Sequence, residues 1–457
     1  MNSSTGLSQL DPHFEPIYPA FRQFSNAAKA ANGPMLSLCV ERNGGLTAVR
    51  TMRILPEGKN DALNLRMVER MAKSMLWVYG GFRLTVAGSR KLYEELRSQY
   101  KPGGARAFDA DMMAAFYERA FCVEYAERAE DAPVQKEAAE AVGRHLDGCR
   151  IGFDAGGSDC KVSAVINGES VFSEEVVWFP KENPDPAYHY EYIVAALKMA
   201  ASHMPRVDAI GISSAGVYVA NRTMKASLFM KVPQDAFDQS VKDIYIRAAR
   251  EIGDVPLAVC NDGDVAALAG AMGLGMNGVL GIAMGTSEAG GYVDRNGKIT
   301  GWLNELAFVP CDLSPAGAGD EWSGDIGCGV KYFSQDAVIR LAAAAGFNLD
   351  HRLSLAEQLK IVQVEMERGH KGARQIFETI GVYLGHTLAF YSLFYDIRQV
   401  LLMGRVTSGS GGEWVLKAAQ AIIGAEYPEM ALSVNLPDEK SRRVGQSVAA
   451  ASLPATR

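Results

Sequence analysis

Three short stretches carry the residue types from which phosphate chemistry is built. In IGFDAGGSDCKVSAV (151–165) an apolar run ends in Asp154, followed by Gly156, Gly157, Ser158 and Lys161. A glycine pair after a strand lets the backbone take positive φ and bring N–H groups close to an anion. Ser158 adds a hydroxyl and Lys161 could offset phosphate charge. Asp154 has the wrong sign for direct phosphate contact and would act through Mg2+ or its waters. A second glycine-rich turn, MGTSEAGGYV (284–293), sets Gly285, Thr286 and Ser287 after a strand-like run. Two such turns could clamp a di- or triphosphate between them. In CNDGDVAALAG (260–270), Asn261 and Asp262 close a strand and open a helix, the place where α/β folds put ligands. Asp262 is well placed there to accept a proton from an alcohol.

Each stretch alone also has a plainer reading. The first fits a tight hairpin with a surface Asp and the second an ordinary β-hairpin. Asn261, Asp262 or the competing Asp264 would serve as a helix N-cap. MGRVTSGSGGE (403–413), with Gly404 after a strand, suits one face of a nucleotide or a flexible loop.

The elements that must position these residues follow from periodicity and turn signals. From 151, three strand-like runs form a meander, the second and third joined through Asn167-Gly168, a tight-hairpin signal. A helix around 189–203 leads to a strand at 207–213, and a long helix near 235–252 leads to a strand at 256–262. A helix and the strand 277–287 follow. A meander followed by alternating β and α predicts a mixed sheet with helices packed on it. KGARQIFETIGVYLGHTLAFYSLFY (371–395) shows a broad apolar stripe interrupted by Arg374, Glu378 and His386, which predicts a core helix rather than a membrane span. A strand at 397–405, a helix from about Trp414 and a final helix over 438–452 complete the chain. In the first third, strands flank Asn43-Gly44-Gly45, a helix spans 64–79, a strand 82–88 and a helix 90–100, and residues 109–145 read as mainly helical. That third is an α/β module without a phosphate loop, a metal cluster or an acid–base pair of its own.

The chain has 457 residues, 48% hydrophobic and 22% charged, which suits a globular protein of about three domains or lobes. A net charge of −7 argues against nucleic acid as a bulk electrostatic partner. No apolar run is long enough to span a bilayer, and MNSSTGLSQLDPHFEP has no basic and apolar leader pattern. The 7 cysteines, without a CxxC pair, read as reduced, mostly buried thiols of a cytoplasmic protein, with no zinc site.

The order DxGGS, SAG (214–216), ND, GTS and MGR after a strand is far more specific than any member. In that order the sequence resembles the sugar kinases of the actin–hexokinase–heat-shock-chaperone ATPase superfamily, and above all the ROK group (repressors, uncharacterised proteins and kinases). The resemblance covers about residues 150–453. It includes GWLNELAF (301–308), where the family has Gly-Glu-x-Gly-His, and GDIGCGVKYFSQDAVIRLA (324–342), where it has a Gly-Cys-rich turn before a helix. It implies a two-lobed fold with RNase-H-like sheets and ATP in the cleft. Asp154 would organise Mg2+, and the amides near Gly156–Ser158 and Gly285–Ser287 would hold the phosphates. Asp262 would be the base that activates a sugar hydroxyl, Asn261 and Glu305 would hydrogen-bond the sugar, and Gly404 would lie against the adenosine. Ser227 stands where the family's first sugar loop has an asparagine. The implied organisation is an additional α/β module over 1–148, a first lobe over 149–276 completed by a helix at 438–453, and a second lobe over 277–437.

The sequence departs from the family at identifiable places. Phe308 replaces the histidine, Val330 replaces an acid, and the zinc cysteines are reduced to Cys328. Glu288 and Ala289 stand where the second phosphate turn has small residues, and Arg405 stands where the adenosine turn has a second glycine. An anionic side chain beside a triphosphate is unfavourable unless it turns away or meets a cation. Two readings follow. One is an ATP- and Mg2+-dependent carbohydrate kinase, its partners a small carbohydrate and a nucleotide. The other is a catalytically impaired sugar- or nucleotide-binding regulator on the same fold. A DNA-binding repressor is a poorer third, since no helix-turn-helix and no basic clustering precede the ATPase. The added residues could cover the cleft, dock a partner or form a homodimer interface.

Overall fold

The computed structural model describes residues 10–137, 142–437 and 445–456. The chain divides into two compact units. One combines Met1–Ala138 with Ile282–Gly290 and Trp302–Leu436, and the other combines Ala139–Gly281 with Gly291–Gly301 and Pro437–Arg457. The first 137 residues therefore share a unit with 302–436.

In the first unit, β1 (Met35–Arg42) and β2 (Leu46–Arg53) form the hairpin around Asn43–Gly45. β3 (Arg83–Ala87) pairs antiparallel with β1, and β4 (Cys122–Ala126) pairs parallel with β3, giving the order β2-β1-β3-β4. The helix Asp61–Tyr79 is almost wholly buried from Met67 onwards, because it is covered on all sides within its unit. Asn60 caps its start by accepting the Leu63 N–H at 3.1 Å. The first helix, Ile17–Ala30, turns Phe21, Phe24 and Ala28 inward, and Phe21 meets Phe390 on the helix Lys371–Tyr391 with ring centroids 5.3 Å apart. That second helix is the core helix read from its stripe, and among the described residues no helix is long and apolar enough to cross a membrane.

The second unit is built on β5 (Cys149–Ala155), β6 (Asp159–Ile166), β7 (Glu169–Val177), β8 (Ala209–Ser214) and, beyond a short hairpin of β9 (Val217–Val219) and β10 (Arg222–Lys225), β11 (Leu257–Asn261). The order is β11-β8-β5-β6-β7, with β5, β6 and β7 antiparallel and β5, β8 and β11 parallel. This is the expected meander followed by β/α alternation. The β6–β7 turn places Asn167 at φ 49° and Gly168 at φ 86°, the pair of positive values that a two-residue hairpin of this twist requires. Residues of the helices Pro186–Ala201 and Ile244–Arg250 join the strands in one apolar core. The short helix Gln446–Ala451 lies on β5 and β8 so closely that a Cβ on Gly152 or Gly211 would stand 1.7 Å from its Ser447 and Ala450 carbonyl oxygens.

A third sheet, ordered β13-β12-β14-β15, comprises β12 (Val279–Met284), β13 (Glu288–Val293), β14 (Gln399–Met403) and β15 (Ser433–Asn435). Its first two strands carry the chain across the boundary between the units.

Some expectations are corrected. The helix over 109–145 stops at Tyr117, where Glu118 takes φ 50°, and the chain then forms β4. Helical propensity there yields to pairing along β3. Within 133–146 the described residues are not helical, since Lys136 exchanges backbone hydrogen bonds with Thr47 (2.7 and 3.0 Å), while 138–141 lie outside the described residues. The long helix near 235–252 is broken by a π-turn at Phe237–Val241, and the Lys242 carbonyl instead accepts the Thr223 N–H at 2.8 Å. Of the helix expected over 438–452, Gln446–Ala451 is helical, and 438–444 lie outside the described residues.

Candidate functional site

In the second unit the parallel strands β11, β8 and β5 end at one level. Asp154 pairs in register with Ser213, and Ser213 pairs with Cys260, one residue before Asn261. The ends therefore deliver Asp154, Ser213, Asn261 and Asp262 side by side at the carboxyl edge, where open α/β sheets bind ligands. Ser213 Oγ donates to Asp154 Oδ1 at 2.7 Å. Gln446 Nε2 lies 3.0 Å from both Ser213 Oγ and the Asp262 carbonyl oxygen, so the C-terminal helix ties the two acidic positions together. Gln446 carried no sequence signal, because its partners lie more than 180 residues away.

Both carboxyl groups are raised above their ordinary range. Burial, reinforced by the negative charge of Asp262 and opposed by the Ser213 hydrogen bond, pushes Asp154 up to about 6. Burial also raises Asp262, against the Gly263 N–H that its Oδ1 accepts at 3.0 Å and the attraction of Lys181. A buried carboxylate with raised proton affinity is a better proton acceptor near neutral pH than an exposed one.

Asn261, rather than Asp262 or Asp264, is the N-cap of the helix Asp262–Leu274, its Oδ1 accepting the Gly263 N–H at 2.8 Å. Its Nδ2 donates to the Gly216 carbonyl at 2.7 Å, which fixes the SAG turn. Asp264 turns inward and accepts the Tyr292 N–H at 3.0 Å. Tyr218 Oη donates to Ser214 Oγ at 2.7 Å, bracing the same turn from the other side.

The first glycine turn differs from its expected conformation. Neither Gly156 nor Gly157 has positive φ. Their small size is used for space, since a Cβ on Gly157 would stand 3.0 Å from Lys181 Cε and 3.1 Å from its Nζ. Trp178 Nε1 donates to the Gly156 carbonyl at 2.8 Å and its backbone N–H to that of Ser158 at 3.2 Å, holding the turn. Lys161 sits opposite Asp154 in register, exposed, and pairs with Glu175 at 3.2 Å. Lys181, which reading the sequence missed, is the cation over the turn. Ser227 is exposed at the start of a short 3₁₀ turn whose next residue, Leu228, is buried in the core.

In the first unit the second glycine turn and the Gly404 turn are neighbours. Gly404 has φ 94°, and a Cβ there would stand 2.4 Å from the Met284 carbonyl oxygen, which also accepts the Val406 N–H at 3.0 Å. Only glycine satisfies both constraints. Thr286 and Ser287 are exposed, and the Gly285 carbonyl accepts the Gln335 N–H at 2.9 Å. Glu288 turns away from the turn: it is 3% exposed, and its Oε1 lies 3.5 Å from Tyr391 Oη. Burial pushes its carboxyl up to about 8, so it is largely protonated at neutral pH and brings no anion to a phosphate. Arg405 is exposed, its backbone carbonyl accepting from Gln363 Nε2 at 2.6 Å. Glu305 lies on a different loop of the same unit, its backbone N–H donating to the Trp77 carbonyl at 3.0 Å.

No protein-family model matches the chain, and no curated protein matches it. Among solved structures, a ROK hexokinase from Thermus thermophilus is similar with a TM-score of 0.51 and 20% identity over 66% of this chain and 97% of that one. A ROK family glucokinase from Streptomyces griseus, in complex with glucose and AMPPNP, gives 0.47 and 21% over 67% and 98%. A ROK family transcriptional regulator, a homolog of E. coli MLC protein, gives 0.48 and 16% over 67% and 78%. Two thirds of the chain thus carries the mixed α/β fold of the ROK hexokinase.

Proposed function

We propose that the protein transfers a phosphoryl group from ATP to a hydroxyl of a sugar or sugar derivative, with Asp262 as general base. The observation that carries this reading is the pair of half-buried carboxylates, Asp154 and Asp262, at the ends of the strands that flank β8, with Ser213 on the Asp154 carboxylate and Gln446 linking Ser213 to the Asp262 backbone carbonyl. Asp262, raised by burial and fixed by the Gly263 N–H, takes the proton of the attacking hydroxyl. Lys181 and the turn Gly156–Ser158 receive phosphate oxygens, and the turn 285–287 and Gly404 are read as nucleotide-contacting residues of their own unit. Asn261 orients the base from its capping position, and Glu305 and Ser227 hydrogen-bond the sugar.

The residues fit a hard divalent cation. Asp154 is an oxygen donor whose charge, opposed by burial and by Asp262, is relieved by a nearby cation. Mg2+ held there, directly or through water, would supply neutralisation of polyphosphate charge. The rest of the catalysis is positional and electrostatic. A cytoplasmic location goes with this reading.

A second reading, a regulator that binds sugar or nucleotide without turnover, is favoured by Phe308. That ring packs on Trp77, with centroids 4.2 Å apart, where the resembled family has a hydrogen-bonding histidine. The deciding experiment measures ADP release from Mg·ATP across a panel of sugars, with Asp262→Asn alongside. Sugar-dependent release that falls about 10²–10⁴-fold in the variant supports the kinase. ATP binding without turnover selects the regulator, and failure to bind ATP by calorimetry sinks the kinase.

A further inference from the structure

The helix Asp61–Tyr79 ends against the loop that carries Glu305. The carbonyls of Trp77 and Val78, left without partners by a helix that stops at Tyr79, accept the N–H groups of Glu305 and Asn304, both at 3.0 Å. Phe308 then lies on Trp77 at 4.2 Å between centroids and 5.5 Å from Phe108. Trp77 is fully buried, and its Nε1 donates to Asp109 Oδ1 at 2.7 Å, which fixes the indole from behind. Phe308 and Phe108 remain half-exposed.

A second tie meets the neighbouring loop. Asp325 is 8% exposed and contacts Lys73 (2.6 Å), Arg106 (2.7 Å) and Arg70 (3.0 Å), all from the first 137 residues. Glu69 and Asp109 balance the remaining positive charge. Added residues could attach anywhere on a lobe. Here the first tie falls on the segment 304–308, where Phe308 departs from the ROK pattern, and the second falls on Asp325, in the loop that leads to Val330.

We infer that the N-terminal module backs the loop that carries Glu305, and that Trp77 and Phe108, acting through Phe308, determine which saccharide that loop takes. This rests on the reading of Glu305 as a sugar ligand. An aromatic face offers no hydrogen bond to a hydroxyl and leaves any hydroxyl pressed against it unsatisfied. The favoured acceptor presents carbon on that side, as a deoxy sugar does.

The test is calorimetric binding of hexoses and their deoxy analogues, one ring position at a time, to the full chain. Wild type binds one deoxy analogue about tenfold or more tighter than its parent hexose, the scale set by leaving a polar group unpaired. Phe308→His narrows or reverses that ratio, and Phe108→Leu changes it about threefold or more. Leu96→Ala, a buried change elsewhere in the module, lowers the melting temperature and leaves the ratio alone. If Phe308→His does not fold, Phe108→Leu carries the test. Ratios equal to wild type in a folded variant overturn the inference, as does a wild type that binds no saccharide or prefers every parent hexose. Ratios that respond while no ADP is released sink the kinase reading and leave this inference standing.

Discussion

Replacing Asp325 by Asn keeps its shape and removes one negative charge from the buried cluster. Three cations, Arg70, Lys73 and Arg106, then face only Glu69 and Asp109. At an effective dielectric constant of about 20, each contact near 2.7 Å is worth roughly 6 kcal/mol before desolvation. Desolvation of the carboxylate offsets most of that, and breaking a buried pair costs about 3–5 kcal/mol in practice. At about 2 °C per kcal/mol, the lower end that applies to large domains, the melting temperature falls by about 6–10 °C. Tryptophan fluorescence is a suitable probe, because Trp77, Trp302, Trp322 and Trp414 lie in the first unit and only Trp178 in the second. The pH dependence follows from the same contacts. Burial alone would raise Asp325, but Lys73, Arg70 and Arg106 outweigh it and hold the carboxyl well below the usual range. A depressed folded value gives stability that is present above the unfolded carboxylate range and is lost as pH falls toward the folded value. The gap between wild type and variant should therefore be constant from pH 6 to 8 and shrink below about pH 4. Asp350→Asn, which breaks an exposed pair with Arg352, is the control and should shift nothing measurable. A drop under about 2 °C, or one equal to the control, would refute the claim that the cluster ties the module to its unit.

Glu288→Gln should gain stability relative to wild type as pH rises from about 5 to 8 and level off above, because the wild-type carboxyl stays protonated in the folded state up to about 8 and ionises near 4.5 when unfolded. Paired urea titrations across that range check it, and a pH-independent difference contradicts it. Gly404→Ala forces a Cβ to within 2.4 Å of the Met284 carbonyl at a positive φ, and should cost about 1–3 kcal/mol together with nucleotide affinity. Normal ATP binding with normal stability would argue against a nucleotide role for this turn. Gly211→Ala drives a Cβ to 1.7 Å from the Ala450 carbonyl and should dislodge the helix Gln446–Ala451, read as faster hydrogen exchange in 446–451. Unchanged exchange there would contradict the packing described.

The parts legible in the sequence are those fixed within a few residues. Asn167-Gly168 specifies a hairpin because only such residues tolerate two positive φ values in succession. Asp262 falls at a strand end because an apolar run stops there and an alanine-rich helical pattern begins. The stripe on 371–391 identifies a core helix for the same local reason. The tertiary structure alone decided what depends on partners far along the chain. Glu288 faces inward because Tyr391 and the apolar interior of its unit lie on that side, more than a hundred residues away. Gly157 serves for clearance rather than positive φ because Lys181 arrives over it from another segment. Strand β4 overrides a helical pattern because β3 offers it an edge. The role of the first 137 residues was invisible in their own sequence, since Lys73 and Arg70 acquire meaning only when Asp325 meets them across some 250 positions. Periodicity and turn chemistry are local quantities, whereas burial and charge pairing are properties of the folded chain.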